Sequence, residues 1–65
     1  MTKTKFLIQL SFNNKNDEEE LYEDERTEWD MFVAVGRTLR ESRQTILKGR
    51  RDVKELTINV SKIYE

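Results

Sequence analysis

The chain has 65 residues, 38% of them charged, a formal net charge of −1, and neither cysteine nor histidine. That length supports one small domain, and the inventory excludes disulfides, Ser-His and Cys-His nucleophile pairs, and the commonest zinc ligand. Small scaffolds usually need a staple, and association with another chain is the one this composition leaves.

Residues 5–12 alternate, with Phe6, Ile8, Leu10 and Phe12 on one face and Lys5, Leu7, Gln9 and Ser11 on the other. Period two with aromatic and branched residues predicts a half-buried strand, whose polar face is interrupted by Leu7. Asn13 to Asp17 ends it with turn-forming residues. The acidic stretch that follows is expected to be a mobile connection over about residues 13–26, with a helical turn near Glu18 to Glu23.

Thr27 reads as an N-cap, with Glu28 and Asp30 in the favourable first turn, and the helix is expected over about residues 27–48. At 100° per residue, Phe32, Val35, Leu39, Ser42 and Ile46 form the core stripe, with Met31 beside it. Trp29, Val33, Gly36 and Leu47 lie on a flank with Arg40. That flank is read either as a contact with another helix or as the rim of the sheet core. Gly49 is placed as the helix stop. A second strand is expected over about residues 53–64, with Leu56, Ile58 and Val60 on its apolar face and a bend near Ser61 and Lys62.

The order strand, acidic loop, helix, strand implies an α+β domain. A helix joining the two strands favours parallel pairing. Two strands and one helix make a thin core, so the expected assembly is a homodimer with a four-stranded sheet packed on two helices.

The charges are segregated. Between Asp17 and Asp30 stand nine acids and one base, Arg26; between Arg37 and Lys54 stand seven bases and two acids. Blocks of this kind make fields that attract or repel macromolecular partners. The chemistry of small sites is otherwise absent. Gly36 and Gly49, the two glycines, stand far apart, so neither a P-loop nor a dinucleotide fingerprint exists, and the acidic run lacks the central glycine of a calcium loop. No catalytic residue, metal site or cofactor is implied. No apolar run approaches the about 20 residues of a membrane span, and no signal-peptide h-region is seen, so a cytoplasmic protein with no membrane partner is expected.

The expected function is therefore non-enzymatic binding. In the first reading, Glu18, Glu19, Glu20, Glu23, Asp24 and Glu25 dock on a basic protein surface, with Leu21, Tyr22 and Trp29 as apolar anchors. An inhibitor that mimics a nucleic-acid backbone is one version of this. In the alternative, a dimer binds nucleic acid through Arg37, Arg40, Arg43, Lys48, Arg50, Arg51 and Lys54. A third reading is self-association, the acidic block of one subunit against the basic block of its neighbour. Size and charge density are similar to those of small accessory proteins of phages and mobile elements, although no motif carries that likeness.

Overall fold

The computed structural model describes residues 2–64. Four elements follow one another: β1 (Thr4–Asn14), β2 (Glu19–Glu28), α1 (Met31–Gln44) and β3 (Val53–Lys62). The strands form one antiparallel sheet in the order β2-β1-β3, with the helix across one face. The fold is α+β.

β1 is central because its apolar alternation is the strongest in the chain. Phe6, Ile8, Leu10 and Phe12 are all buried on the helix side. Each such side chain contributes about 1.5–3 kcal/mol when fully withdrawn from water, so this strand carries most of the hydrophobic stabilisation. Ala34 sits over Phe6 and Ile8, and Ile58 and Val60 of β3 close the cluster from one side. At the far end Tyr22 stacks on Phe12 at 5.7 Å, and the Arg50 guanidinium lies 5.0 Å above the same ring.

The acidic stretch expected as a loop is β2. Asn14 starts the reversal: its side-chain oxygen accepts from the backbone N–H groups of Asn16 (2.9 Å) and Glu18 (3.1 Å). Asp17 takes the left-handed conformation, φ 61°, that closes the turn. The chain then pairs with β1 from Asn13↔Glu19 to Thr4↔Glu28. A helix would have stacked like charges at i,i+4, whereas a strand sends neighbouring carboxylates to opposite faces.

The extra strand also overturns the parallel pairing expected for the first and last strands. β1 and β3 are antiparallel, in register from Phe6↔Lys62 to Asn13↔Glu55, with an irregularity at Asn13/Asn14. The crossover rule applies one strand later. α1 joins β2 to β3, which run parallel to each other with β1 between them.

α1 begins later than expected because β2 holds Thr27 and Glu28 extended. Its N-cap is Asp30, whose carboxylate accepts from the Val33 N–H at 2.8 Å. It ends at Gln44, and a series of turns carries the chain to Gly49, φ 71°. The buried stripe is Ala34, Thr38 and Ser42. At 100° per residue it is rotated roughly 80° from the expected one, towards β2. Two things set that rotation. Small side chains let the helix axis lie close to β1, and Arg37 and Glu41 are tied to β2, as described below. Val35, Leu39 and Ile46 are left half-buried, and Phe32 is 88% exposed. Gly36 is exposed, and a Cβ added to it would meet nothing within 4 Å. No helix among the described residues is long and apolar enough to cross a membrane.

Candidate interaction site

The position of β2 at the sheet edge decides what the acidic residues can do, because strand parity sorts them. Even-numbered residues share the helix side with Phe6, Ile8, Leu10 and Phe12; odd-numbered ones share the other side with Lys5, Leu7, Gln9 and Ser11.

On the helix side every acid of β2 meets an arginine. Glu20 accepts from Arg50 Nη2 at 2.7 Å, and the same guanidinium bonds both oxygens of Asp52 at 3.1 and 2.8 Å. These hydrogen bonds hold the Glu20 and Asp52 carboxyls below their ordinary range and raise the Arg50 guanidinium further. Asp24 accepts from Arg26 Nε at 3.0 Å, and Arg26 reaches over to Glu41 on the helix. The Glu41 bond, followed by that to Asp24, raises the Arg26 pKa against the opposing effect of partial burial. Glu28 is 4% exposed, and both its oxygens accept from Arg37 Nη1, at 3.0 and 2.9 Å. In the hairpin turn, Asp17 pairs with Lys54.

On the open side the partners are mostly neutral. Glu19 accepts from Ser11 Oγ (3.1 Å), Glu23 from Gln9 Nε2 (3.0 Å), and Glu55 of β3 from Asn13 Nδ2 (3.2 Å). Glu25 lies 3.9 Å from Lys5 Nζ. A neutral donor orients a carboxylate without cancelling its charge. Four carboxylates and one ammonium therefore share a sheet face that no other described element covers. Leu21, 69% exposed, stands between Glu19 and Glu23 beside a shallow depression of about 240 Å³ that reaches Ser11, Thr57 and Asn59.

The expected acidic site is therefore divided. Glu19, Leu21, Glu23 and Glu25 come together on the open face, and Glu18 stands exposed in the turn beside them. Glu20, Tyr22 and Asp24 face the helix and are engaged within the chain. Trp29 lies apart, in the link before α1, 58% exposed, with Lys3 Nζ 5.4 Å from its ring centre. Glu55, Thr57 and Asn59 of β3 belong to the same face and were missed, and Gln9, expected on the outward face of β1, joins them there; the period-two pattern of β1 and β3 was the signal that could have found the face.

The basic site is divided as well. Arg37, Arg50 and Lys54 are bound to Glu28, Glu20 with Asp52, and Asp17. Arg40 and Arg43 remain exposed on the outer side of the helix, Lys48 is exposed in the turns that follow it, and with Gln44 they line one open cleft of about 680 Å³. Arg51 is exposed in the link to β3. Among the described residues, no group of three or more Asp, Glu, His or Cys side chains is placed to hold a metal ion.

Comparison with protein-family models, curated proteins and solved structures gives no match, so the site is read from its own chemistry.

Proposed function

We propose that this protein is a non-enzymatic, cytoplasmic interaction module, an adaptor or inhibitor, whose open sheet face docks on a basic surface of a partner protein. The sorting by parity carries the reading. The helix-side acids of β2 are consumed by the chain's own arginines. The open-side acids keep their charge around an exposed leucine. An apolar anchor ringed by charges of one sign suits a complementary surface in which apolar contact supplies affinity and charge supplies rate and orientation. Surfaces of that kind also accept phosphates, so short nucleic acid should compete. We further propose that the working unit is a homodimer, since a domain this small gains core by adding a second copy.

The test is capture from the native host by four forms: wild type, E19K/E23K, L21A and R40E/R43E. Support is a basic protein held by wild type and by R40E/R43E, lost with E19K/E23K or at high salt, and weakened by L21A. A partner that binds wild type and E19K/E23K equally, or equally at low and high salt, refutes the reading.

A second reading is nucleic-acid binding through Arg40, Arg43 and Lys48, helped by Arg51. One observation favours it: these cations lie on the outer side of the helix layer, away from the acidic sheet face, so the two fields do not share a surface. Fluorescence anisotropy at low salt with mixed DNA and RNA tests it, and binding unaffected by R40E/R43E removes it.

A further inference from the structure

The two free edges of the sheet are not alike. Six of the ten residues of β2 are acids, so a second copy brought to that edge meets like charge. Charges along an edge are a common device against unwanted pairing. β3 carries no such protection in its middle. Leu56 to Ser61 is six residues without charge, proline or glycine, in regular register with β1. The direction of its free hydrogen bonds follows from one contact. Ile63 N–H donates to Lys5 O at 2.9 Å, so odd-numbered β3 residues bond inward to β1. The N–H and C=O groups of Leu56, Ile58 and Val60 therefore point outward, to the unpaired side.

The flanks differ in the same sense. On the β2 side the helix is sealed by the Arg37–Glu28 and Arg26–Glu41 pairs. On the β3 side Val35 and Leu39 are half-buried, and Leu56, on the helix face of the edge strand, is 47% exposed. Ile58 and Val60 are only partly covered by the core. The apolar layer runs out to the edge and stops there.

From this we infer that β3 pairs antiparallel with β3 of a second copy about a two-fold axis at Thr57, giving a continuous six-stranded sheet with both helices on one face. The inference rests on the homodimer reading above and specifies its interface. Helices on the same face require that residues of equal parity oppose each other. With the axis at Thr57, Leu56 lies opposite Ile58 of the second copy, Glu55 opposite Asn59, and Lys54 opposite Val60. Moving the axis to Ile58 would set Lys54 against Lys62, which like-charge repulsion disfavours. The occupant is a second copy because the edge is self-complementary at this register: Leu56, Thr57 and Ile58 oppose Ile58, Thr57 and Leu56 of the copy, no like charges face each other, and apolar flank meets apolar flank.

Sedimentation equilibrium at physiological salt tests it, using substitutions at the exposed Thr57. Thr57→Lys and Thr57→Glu each set two like charges directly across the axis. Each should weaken the dimer by about tenfold or more, while an equimolar mixture of the two recovers it. Asn59→Lys, facing Glu55 of the second copy, should tighten it, which keeps the test informative if a Thr57 variant loses its circular-dichroism spectrum. A wild-type chain that is monomeric at 100 µM overturns both this pairing and the homodimer reading. A wild-type dimer indifferent to both Thr57 changes, or a mixture that does not recover, overturns the edge pairing alone.

Discussion

The Glu28–Arg37 pair is where the acidic strand is fastened to the helix, and its removal has a calculable effect. Glu28 has almost no contact with solvent, whereas the Arg37 side chain is 61% exposed. Two opposite charges about 4 Å apart interact by about 4 kcal/mol at an effective dielectric of 20 and by about 1 kcal/mol in water. The exposed guanidinium places the pair in the lower half of that range. Arg37→Met keeps helix propensity and the aliphatic stem but strands the carboxylate without its donor, which adds to the loss. The expected cost is about 2 kcal/mol. A 65-residue domain has about 3–10 kcal/mol of total stability, so the melting temperature should fall by about 8–16 °C. Adding Glu28→Met removes the stranded charge and should restore stability to within about 1 kcal/mol of wild type, since an apolar pair replaces an ionic one at little net cost. Thermal melts followed by circular dichroism measure both. A single variant within about 0.5 kcal/mol of wild type, or a double variant less stable than the single, would refute the claim that this pair seals the β2 side.

Three further outcomes are expected. Glu20 and Asp52 are held below their ordinary values of 4.5 and 3.8 by Arg50 hydrogen bonds. Groups depressed in the folded state contribute stability that is complete above those values and is lost as pH falls through the depressed ones. The melting temperature should therefore drop steeply below about pH 4, and Arg50→Gln should flatten that drop. Asp30→Ala removes the N-cap bond to Val33 and should cost about 1 kcal/mol in urea unfolding, with Asp30→Ser sparing most of it. Gly36→Ala fills open space in the middle of a helix and should stabilise the domain by about 0.4–1 kcal/mol; a loss of partner binding with gained stability would assign Gly36 to an interface.

What the sequence made legible was whatever a single period expresses. β1 declared itself through Phe6, Ile8, Leu10 and Phe12, and β3 through Leu56, Ile58 and Val60. β2 did not, because its alternation lies between acids that bind an arginine and acids that do not. Hydrophobicity does not mark that difference, and Glu20 and Arg50 are thirty residues apart. The helix face was misjudged for a related reason. Phe32, Val35 and Leu39 are the larger apolar residues, but Ala34 and Thr38, beside the expected Ser42, permit closer approach, and the ion pairs to β2 turn the helix towards them. The charge blocks were visible at once. Their division into engaged and free halves depends on which side of the sheet each residue occupies, and that required the register.

Since side chains of a strand alternate, the four-residue reversal from Lys15 to Glu18 also sets the molecule's electrical outline. One residue inserted there, or a slip of β2 by a single step along β1, would exchange the two sets of carboxylates. An inserted residue would bring Glu19, Glu23 and Glu25, now facing water, under the helix, set Thr27 where Glu28 meets Arg37, and turn Arg26 away from Glu41. The length of a short asparagine-rich turn thus acts as the switch that assigns negative charge to one surface of the protein and its neutralisation to the other.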